Sequence, residues 1–269
     1  MTLNEAYLLL KEHGVPDALY DARALFKKFG GASDIDLTNR AFSSDNAHLI
    51  SAIERRAARE PLQYIIGEVS FYRETYKVTP DCLIPRSDTE LLVDYAVKNL
   101  PRGAHFADLC CGSGCIGISV LKNTADTTAT LVDISEGALK VTKENAERYG
   151  VLDRAKILLS DVTKNAVGDA FFAVLSNPPY VTRKAYAALE PEIYKEPEAA
   201  FVGGDDGADF YRAMTPIYKN IIENDGFIAY EIGYDQSDII KDIANECGMS
   251  CEILNDLSDN PRVAVLRRM

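Results

Sequence analysis

From residue 104 to the end of the chain, strand-like and helix-like segments alternate, and few folds accept that order. Short runs of mostly apolar residues stand at 105–111 (HFADLCC), 128–134 (TATLVDI), 155–160 (AKILLS), 171–177 (FFAVLSN), 226–233 (GFIAYEIG), 251–257 (CEILNDL) and 262–268 (RVAVLRR). Between them lie helical stretches such as SEGALKVTKENAERYG, which a serine can cap at its start and a glycine can close at its end. This alternation predicts an α/β fold with a mostly parallel, doubly wound, seven-stranded sheet. Too few residues join the last two strands for a crossover helix, so they are expected to pair antiparallel at the sheet edge.

The first 60 residues read differently. Leu3, Ala6, Tyr7 and Leu10 share one helical face, and Leu19, Ala22, Phe26 and Phe29 share another, in a helix bounded by Pro16-Asp17 and Gly30-Gly31. A third helix is expected between Ser44 and Pro61, which together predicts a small helical bundle. After Pro61, EVSFYRETYKVT (68–79) alternates as a short hairpin does. The next helix follows LIPRSD, with Ser87 and Glu90 spaced as a capping box. The expected organisation is a helical domain over 1–66, a hairpin linker over 67–84 and the α/β domain over 85–269.

DLCCGSGCIG (108–117) joins the first strand of the α/β region to its helix. Glycines there allow the backbone to approach a ligand closely, next to a helix N-terminus. Asp133 ends the following strand, where a carboxylate can accept hydrogen bonds from ribose hydroxyls. Together they indicate a nucleoside-containing cofactor. Residues 112–117 match the dinucleotide fingerprint G-x-G-x-x-G. Read from Asp108, the same loop (Asp108, Cys110, Cys111, Gly112, Ser113, Gly114) is D-x-x-x-G-x-G, the loop of S-adenosylmethionine enzymes with Cys110 in place of their first glycine. At the end of the third strand, Asp161 can accept from an adenine amino group while Val162 packs on the ring; Asp161 can equally start a turn.

Asn177-Pro178-Pro179-Tyr180 falls just beyond a central strand, where ligands bind in open α/β sheets. Each proline fixes φ and removes an N–H, so carbonyls project from a bend that cannot relax. A planar –NH2 on an sp2 carbon is a poor nucleophile because its lone pair is delocalised. An amide oxygen on Asn177 and the carbonyl of Pro178 can accept its two hydrogens, aim the lone pair at an electrophilic methyl and stabilise the charge that develops on nitrogen. Tyr180 offers a ring for the planar group to stack on.

Composition narrows the partners. The formal charge of −12 over 269 residues disfavours a ligand held mainly through phosphates. Of six cysteines, Cys110, Cys111 and Cys115 cluster and Cys247 and Cys251 are near neighbours, but none forms paired C-x-x-C spacing, so reduced thiols and no metal are expected. The opening MTLNEAYLLLKEHG has neither the basic start nor the long apolar run of a secretory signal, which leads to the expectation of a cytoplasmic protein.

With these motifs in place, the sequence resembles the release-factor glutamine methyltransferases, the PrmC/HemK family, over essentially its whole length. The resemblance is carried by GEVSFYRETYKVTPDCLIPRSDTE, SNPPYV, YKEPEAAFVGGDDGADFYR, YEIGYDQ and DNPRVAVLRR. Cys110 stands where the family loop has a glycine, and Lys195 where an arginine is common. The resemblance implies a class I, Rossmann-like methyltransferase that transfers a methyl from S-adenosylmethionine to the amide nitrogen of the glutamine in the Gly-Gly-Gln motif of bacterial peptide chain release factors. It implies cofactor contacts from the 110–114 loop, Asp133 and the backbone around Val162, with Asn177 to Tyr180 holding the substrate amide and the helical domain docking the protein. The rivals are an adenine-N6 or cytosine-N4 methyltransferase of nucleic acid, an NAD-dependent oxidoreductase using the glycine loop, and a peptide-binding protein without turnover.

Overall fold

In the computed structural model, which describes residues 1–168 and 170–269, the chain divides into two units. The first comprises Met1–Glu68 with Glu190–Lys195, and the second Val69–Leu189 with Glu196–Met269.

The first unit is built from α1 (Leu3–Glu12), α2 (Ala18–Phe29), α3 (Ala47–Ala57) and α4 (Leu62–Ile66). Thr2 caps α1 in a reciprocal box with Glu5, and Asn46 caps α3 by accepting from the His48 N–H. The apolar stripes meet in one core that includes Leu3, Leu10, Leu25, Phe26, Leu49 and Ile53. Arg56 is buried in this unit and bonds Asp21 at 2.7 Å and Glu192 at 2.9 Å; Arg59 also bonds Glu192. A segment distant in sequence is thereby bound to the helices through charge.

From Val69 the second unit takes in the hairpin of β1 (Glu68–Phe71) and β2 (Glu74–Lys77). Tyr72 and Arg73 both have positive φ at its turn, the geometry of a tight two-residue connection. The turn explains a departure from expectation: Ser87 and Glu90 form no capping box. Ser87–Thr89 is a 3-10 turn, α5 (Glu90–Asn99) starts without a side-chain cap, and the Glu90 carboxylate accepts the Tyr72 N–H at 2.9 Å. A strained turn presents an N–H that needs an acceptor, and Glu90 is placed to supply it.

The rest alternates as β3 (His105–Leu109), α6 (Cys115–Asn123), β4 (Thr128–Asp133), α7 (Glu136–Arg148), β5 (Ala155–Leu159), β6 (Phe171–Ser176), α8 (Arg183–Tyr186), α9 (Asp209–Tyr218), β7 (Ile222–Glu231), α10 (Ser237–Glu246), β8 (Met249–Asn255) and β9 (Pro261–Arg268). The seven-stranded sheet has the order β5-β4-β3-β6-β7-β9-β8. Its first five strands are parallel; β9 runs antiparallel to both β7 and β8, so the closing pair lies at the edge as expected.

Side chains of successive strand residues face opposite ways, and the sheet buries both faces. Phe106, Leu131, Leu175 and Phe227 pack with Leu92 of α5 and Ile118 of α6. Their neighbours Ala107, Val132, Val174 and Ile228 pack with Tyr211 of α9 and Ile240 of α10. No helix among the described residues is long and apolar enough to cross a membrane.

The strand order reverses direction between β3 and β6, which places the ends of these strands at the topological switch point. Leu109 pairs with Ser176, whose hydroxyl donates to the Leu109 carbonyl at 2.7 Å. The glycine loop and Asn-Pro-Pro-Tyr therefore start side by side.

Candidate active site

A cavity of about 420 Å³ opens at this switch point. Its lining includes Cys110 and Gly112 from the loop after β3, Asp133 from the end of β4, Asp161 and Val162 after β5, and Asn177 and Pro179 after β6. Four separate strand ends thus converge on one space of a size suited to a small-molecule ligand.

The loop after β3 is held from behind. Cys110 and Gly112 adopt φ of 59° and 56°, and Gly114 adopts 79° as it caps α6. The left-handed region favours glycine, and Cys110 occupies it with a side chain attached. The Cys111 N–H donates to the Val132 carbonyl at 2.9 Å. The Gly112 N–H donates to Asp133 Oδ2 at 2.9 Å, while Asp133 Oδ1 accepts from the Ser135 N–H at 2.9 Å. A Cβ added at Gly112 would meet nothing within 4 Å, so its backbone stands open toward the cavity.

Asp108, Cys111, Ser113, Gly114, Pro178 and Tyr180 are neighbours of the lining residues and do not themselves line the cavity. Asp108 is completely buried; its Oδ2 accepts the Gly117 N–H at 2.8 Å and its Oδ1 has no partner among the described residues. Burial pushes its carboxyl up to about 7. Burial likewise raises the Asp133 carboxyl and the Cys110 thiol. Asp161 differs: the Thr163 hydroxyl and N–H both bond its Oδ1, Lys164 pairs with Oδ2, and these bonds hold it down at about 2. Asp161 therefore both starts a turn and borders the cavity.

Asn177 leaves β6 with its Nδ2 donating to the Thr89 hydroxyl at 3.2 Å. Oδ1 takes no hydrogen bond among the described residues and is the end left for a ligand. Tyr180 OH donates to Glu231 Oε1 at 3.1 Å, and its carbonyl accepts from Gln236 Nε2 at 3.1 Å. Val181 forms a parallel bridge with Val202, so the segment after Phe201 backs the Asn-Pro-Pro-Tyr bend.

Residue-by-residue reading missed four parts of this arrangement. Thr89 and Glu231 lie far upstream and far downstream of Asn177 in the chain. Asp81 and Cys82 line the cavity from the segment after the hairpin. The available signal was that these residues lie in the quoted segments IPRSDTE, YEIGYDQ and TPDCL. Burial pushes the Cys82 thiol up to about 11, so it faces the cavity as a neutral, weakly polar group.

Residues 2–67 match the family model described as the PrmC N-terminal domain, and residues 87–201 match the methyltransferase small domain. A release factor glutamine methyltransferase of Caulobacter vibrioides is 34% identical over 264 residues, which is 95% of this chain and 91% of that protein. Its counterpart in Clostridium acetobutylicum is 33% identical over 276 residues, or 99% and 97%. Among solved structures, ribosomal protein L11 methylase from Lactobacillus delbrueckii subsp. bulgaricus has a TM-score of 0.52 at 16% identity, covering 68% of this chain and 81% of that one. At that identity the likeness is one of fold. The sequence relatives go further: the chain belongs to the release factor glutamine methyltransferase family.

Proposed function

We propose that this protein transfers a methyl group from S-adenosylmethionine to the side-chain amide nitrogen, N5, of the glutamine in the Gly-Gly-Gln motif of bacterial peptide chain release factors. The observation that carries this reading is the fixed Asn177 amide. Its nitrogen is tied to Thr89, so an acceptor oxygen is presented at a cavity that also holds the glycine loop and Asp133.

The cavity residues fit the cofactor. Gly112 has no Cβ to keep a ligand away, the Asp133 carboxylate stands where ribose hydroxyls can donate to it, and Asp161 and Val162 offer an acceptor beside an apolar surface. S-adenosylmethionine supplies an electrophilic methyl group on a sulfonium. The protein's part is to hold the glutamine nitrogen. Asn177 Oδ1 accepts one of its hydrogens and the Pro178 carbonyl accepts the other, and both gain strength as positive charge grows on nitrogen. Pro178 and Pro179 keep the bend from relaxing, so the alignment is in place before substrate arrives. Tyr180, anchored through its hydroxyl, backs the amide plane.

The test separates the two sites. Asn177→Ala is expected to leave the affinity for S-adenosylhomocysteine within about threefold while kcat for methyl transfer falls at least ~100-fold. Asp133→Ala is expected mainly to weaken cofactor binding, measured by titration calorimetry. Equal loss of cofactor affinity in Asn177→Ala, or an unchanged affinity in Asp133→Ala, contradicts the assigned roles.

A further inference from the structure

The rings of Pro178 and Pro179 lock φ but leave ψ free, so they do not by themselves set where the Pro178 carbonyl points. Both ends of the bend must also be held. Upstream, Ser176 lies within β6 and the Asn177 side chain is bonded to Thr89. Downstream, the peptide joining Tyr180 to Val181 is gripped from both sides. Its N–H donates to the Phe201 carbonyl at 2.8 Å, and its carbonyl accepts from Gln236 Nε2 at 3.1 Å. The first is a bond between backbone groups; the second depends on one side chain.

Gln236 is buried in the turn between β7 and α10. Gly233 sets its place twice over: the Gln236 N–H donates to the Gly233 carbonyl at 3.0 Å, and Gln236 Oε1 accepts the Gly233 N–H at 2.8 Å. Besides the Tyr180 carbonyl, Nε2 donates to the Gly207 carbonyl at 3.2 Å. A side-chain amide offers two donor hydrogens and an acceptor oxygen, and here all three have partners. The partners also fix its orientation, since two carbonyls can face only the nitrogen and an N–H can face only the oxygen. A Cβ on Gly207 would lie 2.6 Å from Nε2, so glycine at 207 lets the amide come close.

We propose that Gln236 is a positioning residue for methyl transfer: it clamps the Tyr180 carbonyl to the Gly207 carbonyl and the Gly233 turn, closes the downstream end of the Asn-Pro-Pro-Tyr bend and so fixes the direction of the Pro178 carbonyl. This inference rests on the glutamine methyltransferase reading for its consequence in catalysis, though not for the clamp itself. Gln236 does not line the cavity and acts through Tyr180. The Tyr180 ring has a separate anchor, its hydroxyl donating to Glu231 Oε1 at 3.1 Å.

With both ends held and two φ angles locked, the short chain between them has little freedom left. Gln236→Met keeps a side chain of similar length but carries no N–H. The Tyr180 and Gly207 carbonyls then lose their shared donor, and the 180–181 peptide is free to turn about its bond to Phe201. The Pro178 carbonyl loses its aim with it. The cofactor side of the cavity is held by other bonds, those of Asp133 to the Gly112 and Ser135 N–H groups.

The test uses the full-length protein labelled with 15N-glutamine. The chain has two glutamines, Gln63 and Gln236, so two side-chain amide pairs are seen, and that of Gln236 is the one lost in Gln236→Met. Its hydrogens are expected to exchange with water at least ~10-fold more slowly than those of free glutamine, and Gly207→Ala is expected to shift the pair. Exchange as fast as in free glutamine, or a pair that Gly207→Ala leaves in place, overturns the clamp whether or not the protein methylates glutamine. In methyl transfer, kcat of Gln236→Met is expected to fall roughly 10-fold or more, with KM for the release factor and affinity for S-adenosylhomocysteine each within about threefold of wild type. An unchanged kcat, or a kcat lost in step with cofactor affinity, overturns the positioning role. If Gln236→Met does not fold, Gln63→Ala identifies the other pair, and the exchange rate and the Gly207→Ala shift decide the matter. Absence of glutamine methylation by the wild type, with the Gln236 amide protected and moved by Gly207→Ala, would count against the function and in favour of the clamp.

Discussion

Cys110 holds a φ of 59°, in the left-handed region that favours glycine. Left-handed backbone costs a side-chain-bearing residue roughly 1–2 kcal/mol. Cys110→Gly removes that strain but adds about 0.5–1 kcal/mol of chain entropy to be lost on folding, so the stability change is expected to lie within about 1 kcal/mol of zero. Cys110→Val, with a branched side chain at the same φ, is expected to destabilise clearly; urea denaturation checks both, and equal effects would contradict the strain argument. Asp108 carries the opposite lesson. Its folded carboxyl, raised to about 7, binds its proton more tightly than in the unfolded chain, so the group costs stability as pH rises from near 4 toward and past 7. Asp108→Asn keeps an oxygen for the Gly117 N–H and removes the charge. Its gain in Tm over wild type is expected to be larger at pH 8 than at pH 5, and a pH-independent difference would contradict the buried-charge account. The loop residues were legible because glycine spacing and a strand-ending aspartate are local features. Thr89 and Glu231 were not, because their bonds to Asn177 and Tyr180 bring the turn before α5 and the end of β7 to the bend after β6, a meeting that depends on the fold rather than on spacing in the chain.

Among the elements, the strands were readable from apolar runs, with ends within a few residues of the observed ones. Tertiary bonds were not. Glu90 has the spacing of a cap, yet α5 starts without a side-chain cap and the Glu90 carboxylate serves the hairpin turn by accepting the Tyr72 N–H. The stretch 201–207 backs the Asn-Pro-Pro-Tyr bend. A Cβ on Gly203 would lie 2.4 Å from the Pro179 carbonyl oxygen, and one on Gly207, at φ 78°, would lie 2.2 Å from that of Tyr180. Both are backbone atoms of a rigid bend, so neither can move aside cheaply. Gly207→Ala is therefore expected to lower kcat by roughly 10-fold or more and to lower Tm, with cofactor affinity less affected because the Asp133 side of the cavity is untouched. Unchanged kcat with a normal Tm would show that the bend does not depend on this contact.

At the scale of the whole molecule, the two textures of the sequence correspond to different architectures: helical stripes to a bundle, alternating segments to a doubly wound sheet. The assignment of Glu190–Lys195 to the first unit was hidden, because it depends on Glu192 meeting Arg56 and Arg59 across more than a hundred residues. The net charge of −12 remains the simplest argument against a nucleic-acid substrate, which would be held largely by its phosphates. The central claim is amide methylation, and it is tested by methyl transfer from labelled S-adenosylmethionine. An unmethylated release factor, its Gln→Ala variant in the Gly-Gly-Gln loop, and mixed DNA and RNA are offered side by side. The account predicts label on the intact factor alone; label on the Gln→Ala variant or on nucleic acid would contradict it.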